Sequence, residues 1–525
     1  MSTAMYPIVA GDYNRAGAAS SGLKEMLKKV GVDPAALRRA MIAAYEAEMN
    51  VVIHSVGGHM RVTLEDGTVD VEVADEGPGI PDIELAMKDG YSTAPAAARE
   101  LGFGAGMGLP NIKRNSDRFD IESAVGQGTR VRFAVHFAAQ AASGRWRTSV
   151  RVVAERCRGC LRCLHACPTA ALRVRGGRPQ VLEHLCFDCG ACIAACETGA
   201  LASKGREEEP RSRAGLVLIV PPALLVQGGP GADPRRALRA LADLGFGEVW
   251  VTDGWEEALR GAVARYAREE ARVRPVLSPA CAAVVSLVEM RFPSLIGHLA
   301  PFASPVEAAR REVAGRDAVV VAGCPADHSA LFSKRGQGAA EIAAPQGLVQ
   351  AILRRLAEGG GSPPASEAAE RAGSAAPEAA RVLRVTGVRH VVAALEAAEN
   401  GQLGDADVLE LYACDAGCFG SPLLREEPFV ARWRWESAGV TTGQQGRALR
   451  REEPFAARQG LRLDQDMAKA IEKLSRLDRL VRSLPGKDCG LCGAPTCAAL
   501  AEDIVLGRAE TATCPFQGAA EEKTS

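Results

Sequence analysis

Apolar and polar positions along this chain change rhythm several times. Between 34 and 56, PAALRRAMIAAYEAEMNVVIHSV, apolar residues recur at helical spacing behind an early Pro34, which predicts a helix. Two alternating segments follow, HMRVTLED and TVDVEVADE, and read as a hairpin around Asp66-Gly67. The second ends in DEGPGI. A polar loop then leads to GFGAGMGLPNIKR, which opens another helix, and a last strand follows Gly126-Gln127-Gly128-Thr129. Residues 205 to 213 are charged and read as a linker. Beyond them the rhythm is that of parallel sheets: GLVLIVPPALLV is a buried strand stopped by Pro-Pro, RRALRALADLGFGEVWVTD a helix and a strand, and VRPVLSPAC and DAVVVAGCP continue the alternation, with cysteines at strand ends. Residues 358 to 381 have the composition of a disordered insertion. From 464 to 484 an amphipathic helix places Met467, Ile471, Leu474, Leu477, Val481 and Leu484 on one stripe. That stripe suits a homodimer seam, although most such stripes dock on their own domain.

With 525 residues the chain has room for three to five domains. A formal net charge of -1 provides no general field for nucleic acid or an anionic membrane. No apolar run approaches the ~20 residues that cross a bilayer. The N-terminus MSTAMYPIVAGDYNRAG lacks a basic region followed by an apolar one, so a cytoplasmic location is expected.

The sixteen cysteines change this picture most, because they sort without remainder into four sets of four. In a reducing cytosol such clustering argues for metal rather than disulfides. The first eight lie in CRGCLRCLHACPTAAL and CFDCGACIAACETGAL, two copies of C-x2-C-x2-C-x3-C. Thiolates at that spacing wrap a [4Fe-4S] cubane, and the fourth of each run serves the other cluster. One cluster would use Cys157, Cys160, Cys163 and Cys196, and the other Cys186, Cys189, Cys192 and Cys167. Zinc ribbons are the alternative, but three cysteines within seven residues crowd a tetrahedral zinc site. The stretch resembles bacterial two-cluster ferredoxins along its whole length.

Near the N-terminus, Glu46 and Asn50 are four apart and share one helix face. Asn50 can hold Mg2+ through its carbonyl oxygen, and Glu46 can orient or deprotonate a nucleophile. Asp75, at a strand end, can accept a hydrogen bond from an adenine amino group. Gly102, Gly104, Gly106 and Gly108 let the backbone approach phosphates ahead of a helix N-terminus. Alone, each feature is more often a flexible turn or a solvated face. In this order E-x3-N, D-x-G-x-G, G-x-G-x-G-x-G and G-x-G-T resemble the boxes of the GHKL ATPase family over residues 5 to 138, nearest the short anti-sigma-factor serine kinases. The resemblance implies an α/β sandwich that binds ATP with Mg2+. Glu46 would be catalytic, and Asn50, Asp75, Gly77, Gly79, Gly102, Gly104, Gly106, Gly108 and Thr129 would bind the cofactor. No phosphoacceptor histidine hairpin precedes the first box, so histidine autokinase activity is not expected.

Three further stretches, LSPACAAVVSLVEMRFPSLIGHLAPFASP, VVVAGCPADHSALFSKRG and GQLGDADVLELYACDAGCFGSP, resemble the cysteine signatures of the catalytic domain of [FeFe]-hydrogenases. The resemblance implies that Cys281, Cys324, Cys414 and Cys418 hold a [4Fe-4S] cubane between two lobes; the bland reading is buried core thiols. Ala280 stands where the family has a proton-relaying cysteine, Asp327 where it has a lysine that binds a cyanide ligand, and Tyr412 where it has a methionine. A cubane without a working diiron unit follows, and hydrogen turnover is not expected. His328 reads as a surface or loop histidine. The octet REEPFVAR at 425 to 432 recurs as REEPFAAR at 451 to 458, a repeat with no evident physical reason in the sequence. At the end, Cys489, Cys492, Cys497 and Cys514, set among glycines, resemble a small [4Fe-4S] module of electron-bifurcating and corrinoid-linked proteins, with zinc as the alternative.

The fold class expected is multidomain α/β: a GHKL α/β sandwich (1–140), an α+β ferredoxin (148–204), a two-lobed α/β hydrogenase-like domain (214–460) and a helix with a small iron-sulfur module (464–525). Four clusters make an electron path, and an ATP site on the same chain makes it a switch or a motor. The leading expectation is a redox-sensing regulator that controls an ATPase or serine kinase, with a redox protein or a serine phosphatase/anti-sigma type regulator as partner. The alternatives are an ATP-coupled electron-transfer protein, a working hydrogenase and a cluster scaffold.

Overall fold

The computed structural model describes residues 2–13, 15–65, 67–95, 106–138, 147–205, 214–229, 233–332, 341–358, 380–440, 446–458, 460 and 462–516. Most of the expected linker and insertion, together with Asp66, Gly102 and Gly104, lie outside these residues. The architecture is multidomain α/β, and the chain divides into two compact units. No helix among the described residues is long and apolar enough to cross a membrane.

One unit comprises residues 1–144, 459–488 and 496–525. Its antiparallel sheet has the order β1-β2-β3-β5-β4, with β1 Ser2–Ile8, β2 Gly58–Glu65, β3 Thr68–Asp75, β4 Arg118–Ser123 and β5 Thr129–His136. The hairpin expected from alternation pairs Glu65 with Thr68 and Val62 with Val71. Alternation also decides which face is buried: Met60, Val62 and Leu64 on β2, Val69, Val71 and Val73 on β3, and Val131, Phe133 and Val135 on β5 all point to the core. Helices α1 (Ala18–Val30) and α2 (Pro34–His54) belong to the same unit. Pro34 opens α2 behind Asp33, whose carboxylate accepts from the backbone of Ala35 and Ala36.

The amphipathic stripe near the C-terminus folds as Met467–Ser483 and docks on its own unit, against α1, β1, β2 and the helix Cys497–Val505. Ala470, Ile471, Leu474, Leu477 and Leu484 are buried, whereas Val481 is exposed, so the stripe is interrupted at Val481. Lys29 on α1 pairs with Glu502, and Leu463 N donates to the Lys29 carbonyl at 3.0 Å.

The other unit comprises residues 145–458 and 489–495. It begins with two antiparallel pairs, β6 (Val150–Val152) with β9 (Leu201–Ser203) and β7 (Leu172–Arg175) with β8 (Arg178–Val181), which frame the first two cysteine runs. Two parallel sheets follow. In one, β11 (Glu248–Val251), β10 (Val217–Val220), β13 (Ala318–Val321) and β14 (Glu341–Ala343) lie side by side. Leu218, Val220, Val319 and Val321 face one core and Val217, Ile219, Ala318 and Val320 another, which is why these strands read as continuous apolar runs. In the second sheet β16 (Val408–Tyr412) lies between β12 (Val276–Leu277) and β15 (Val382–Thr386). Phe187, from the second cysteine run, is fully buried in the core of this sheet with Leu277, Leu287, Leu409 and Leu411. The ferredoxin-like segment and the second sheet therefore share one core.

Candidate nucleotide and iron-sulfur sites

In the first unit, α2 carries Glu46 and Asn50 on the face expected. Asn111, on the helix Gly108–Arg114, donates through Nδ2 to Glu46 Oε1 at 2.7 Å. Asn50 Nδ2 is buried and has no hydrogen-bond partner, an orphaned amide beside Gly108. A Cβ added at Gly108 would lie 3.0 Å from Asn50 Oδ1 and 3.4 Å from Glu46 Oε2, so the cradle keeps its depth only with glycine there. At the end of β3, Asp75 Oδ1 accepts from Ser55 Oγ at 2.9 Å and from Gly77 N at 2.7 Å. Both bonds fall on one oxygen, which leaves Oδ2 for an amino donor. Gly79 has φ +72, and a side chain there would meet the Ala124 carbonyl at 2.1 Å. Thr129 shares a hydrogen bond with Ser123 Oγ at 2.9 Å. Glu46, Asn50, Asn111 and Gly108 are thus brought together, Asp75 meets Ser55 and Gly77 at the end of β3, and the orphaned Asn50 amide beside a glycine fits a polar ligand.

Periodicity had no means of finding Glu48. It lies on α2 between Glu46 and Asn50, is 2% exposed, and accepts from the backbone N–H of Gly17, Ala19 and Ser20 at 3.0, 3.0 and 2.8 Å. It satisfies the free donors at the start of α1 from a neighbouring helix.

In the second unit Cys157, Cys160, Cys163 and Cys196 line a single small cavity with Leu161, Val174, Pro179 and Leu201. The crossing of the fourth cysteine to the other run's partner is therefore present in the geometry. Burial, reinforced by the thiols of Cys196, Cys160 and Cys157, pushes Cys163 up to about 11. Burial also raises Cys192, with the thiols of Cys189, Cys167 and Cys163 adding to it, and Cys189 is pushed up to about 12. Thiols gathered in this way cannot ionise together unless a cationic core neutralises them, and the donor set fits one. Among the described residues no three His, Cys, Asp or Glu side chains are placed to hold a single metal ion. A cubane spreads its four thiolates over a wider cage than a lone ion does.

Cys281, Cys324, Cys414 and Cys418 line another cavity. Each follows a parallel strand: Cys281 comes after β12 and heads the helix Ala282–Arg291, Cys324 follows β13, and Cys414 and Cys418 follow β16. Carboxyl ends of strands from two sheets thus converge on it, as ligand sites in such folds do. Ala280, Asp327 and Tyr412, the three departures from the hydrogenase pattern, line the same cavity. Burial raises Asp327 to about 6. Tyr412 donates to Glu410 Oε1 at 2.8 Å, and that carboxylate also accepts from Arg260 and Arg384 Nε, each at 2.9 Å.

Asp188 and Cys189 of the ferredoxin-like segment belong to the wall of this same cavity. Asp188 is 1% exposed and accepts from Ser149 N, Thr148 Oγ1 and Ser329 Oγ, the last two at 2.5 Å. His328 departs from the surface position expected. It is buried on the helix Pro325–Phe332, its Nδ1 lies 2.7 Å from Ser149 Oγ, and its ring stacks on Phe332. The helix that starts directly after Cys324 turns it inward. Of the last four cysteines, Cys489 and Cys492 belong to this unit, where the Gly493 carbonyl accepts from Val174 N at 2.8 Å, while Cys497 and Cys514 belong to the first.

Residues 9–135 match the family model described as histidine kinase-like ATPase domain, residues 149–197 that of the 4Fe-4S dicluster domain, and residues 484–516 that named "Putative Fe-S cluster". The serine/threonine-protein kinase RsbT of Bacillus subtilis is 30% identical over 112 residues, which cover 21% of this chain and 78% of that protein. The anti-sigma F factor of Geobacillus kaustophilus is 36% identical over 99 residues, 18% of this chain and 64% of that factor. Structural neighbours include an [FeFe]-hydrogenase from Chlamydomonas reinhardtii, at 17% identity and TM-score 0.28 over 45% of this chain and 86% of that one. Iron-sulfur domains are here fused to an anti-sigma-factor-like kinase domain, and through residues 9–135 the chain belongs to the histidine kinase-like ATPase family of RsbT.

Proposed function

We propose that this chain is a redox-responsive regulator in which iron-sulfur clusters control ATP use by the N-terminal module. The observation that carries this reading is the shared wall of the third cysteine cavity, to which the ferredoxin-like segment contributes Asp188 and Cys189. An electron that enters the ferredoxin-like segment has a short route to that cavity. With Ala280, Asp327 and Tyr412 around it, the route ends without the groups that would turn over hydrogen. A redox centre that stores charge without catalysis is suited to report its state.

Each set of four cysteines would hold one [4Fe-4S] cluster: Cys157, Cys160, Cys163 and Cys196; Cys186, Cys189, Cys192 and Cys167; Cys281, Cys324, Cys414 and Cys418; and, on the motif alone, Cys489, Cys492, Cys497 and Cys514. Such clusters, when bound, supply reversible one-electron storage. In the first unit Asn50 would bind Mg2+, Asp75 would take the adenine amino group on Oδ2, and the glycines through Gly108 would admit the phosphates. Glu46, held by Asn111, would orient a hydroxyl nucleophile. The relatives' names, serine/threonine-protein kinase and anti-sigma factor, favour a serine or threonine of a regulatory protein as that nucleophile.

The docking of Met467–Ser483 on α1 and on Cys497–Val505, the Lys29–Glu502 pair, and the grip of Glu48 on the start of α1 connect the cysteine-bearing terminal segment to the helix that carries Glu46 and Asn50. Coupling requires ATP to prefer one redox state, and reciprocity then makes the potentials depend on ATP. Redox titration of the anaerobically purified chain with and without ATP tests this: at least one midpoint potential moves when ATP is added, and identical potentials would refute the coupling.

A further inference from the structure

The repeated octet has two fates. In its first copy Pro428 opens the helix Pro428–Ala438, Glu427 caps it at Val430 N, and Arg432 pairs with Glu436 at the surface. The second copy forms no helix. Arg451 lies over the Phe455 ring at 4.2 Å, and the chain then runs inward until Arg458 N donates to the Glu289 carbonyl at 2.8 Å. Arg458, at the position matching Arg432, is 9% exposed, and its Nη2 donates to the carbonyl of Cys186 at 3.0 Å.

A buried guanidinium is costly and is kept where it meets buried negative charge. The Glu289 and Asp188 carboxylates act on Arg458, and the bond from its Nη2 to the Cys186 carbonyl sets the guanidinium beside the cysteine run. Reduction adds a negative charge to a cluster. Burial opposes that addition, and so does the Asp188 carboxylate, 3.5 Å from Cys186 Sγ. A fixed cation in the same low-dielectric surroundings favours it.

We propose that Arg458 raises the reduction potential of the cluster held by Cys186, Cys189, Cys192 and Cys167, offsetting Asp188 and shifting electron sharing within the ferredoxin-like segment toward this inner cluster. The proposal rests on the reading of those cysteines as cluster ligands. When the two clusters share one electron, the outer is oxidised as the inner is reduced, and no proton or further reactant is needed.

The test is a potentiometric titration of the full chain with dithionite, followed by electron paramagnetic resonance, on the natural chain, Arg458→Gln and Arg458→Lys, with iron content measured on each. In Arg458→Gln one midpoint potential falls by at least the equivalent of a tenfold change in electron sharing, about 59 mV for one electron. The other potentials stay in place, and Arg458→Lys, which keeps the charge, falls less. Unchanged potentials in Arg458→Gln with full iron content overturn the proposal. So does loss of one cluster's iron in that variant, because the guanidinium would then hold the loop rather than tune it. If Cys192→Ser leaves the iron content of the chain unchanged, the cluster reading itself fails, independently of Arg458.

Discussion

Tyr412 donates a hydrogen bond to Glu410 Oε1 at 2.8 Å, so this residue of the third cysteine cavity is fixed by a carboxylate that also receives Arg260 and Arg384. Burial pushes Glu410 up, but the charge and hydrogen bond of Arg260, with the bonds from Arg384 and Tyr412, outweigh it and leave the carboxyl below its usual range. A carboxyl with a lowered folded-state value contributes stability that is present above the ordinary glutamate range and lost as pH falls through the folded value. Denaturation followed from neutral pH into the acid range should show this loss, and Glu410→Gln should flatten the slope. An unchanged slope in that variant would remove Glu410 from the account.

Glu48 is buried with three backbone donors on its carboxylate. Glu48→Ala leaves those donors without an acceptor inside the protein and should cost at least about 2 kcal/mol in urea denaturation. Because α2 also carries Glu46 and Asn50, ATP affinity should fall with it, although Glu48 touches no part of the candidate site.

Substitutions at the site should act differently. Gly108→Ala brings a methyl group to 3.0 Å from Asn50 Oδ1, and Asp75→Asn alters the acceptor offered to an adenine amino group. Each should weaken ATP binding by tenfold or more, about 1.4 kcal/mol, in calorimetric titration. The thermal midpoint should move little in Asp75→Asn.

The cysteine spacing was readable in the sequence because cluster ligation is local: seven residues carry three thiols, and the crossing of the fourth follows from the cage. The nucleotide motifs were readable for the same reason, each being a short turn with a fixed need for glycine. What escaped is long-range. Glu48 reaches 28 to 31 residues back to α1, Asn111 reaches 65 residues to Glu46, and Ser149 meets His328 across 179 residues. No period or spacing records such bonds. The octet makes the point most directly, since REEPFVAR and REEPFAAR differ at one position and yet one forms a surface helix while the other carries Arg458 into a core. Tertiary surroundings decide between them, and His328 was misplaced to the surface for the same reason.

Iron removal should destabilise the second unit. Cys281, Cys324, Cys414 and Cys418 join segments from both parallel sheets, so a bound cluster adds its binding free energy to folding. Calorimetry before and after anaerobic chelation should show its melting temperature fall by several degrees. A melting temperature unchanged by loss of iron would mean that the cysteines hold no structural cluster.

The central claim is that redox state and ATP binding are coupled. The most direct measurement is ATP affinity of the anaerobically purified full chain with its clusters oxidised and then reduced by dithionite, with Asn50→Ala to confirm the site. The account predicts a change of several-fold between the two states, in the range typical of coupled sites. Equal affinities in the two states, on a chain with its iron intact, would contradict it.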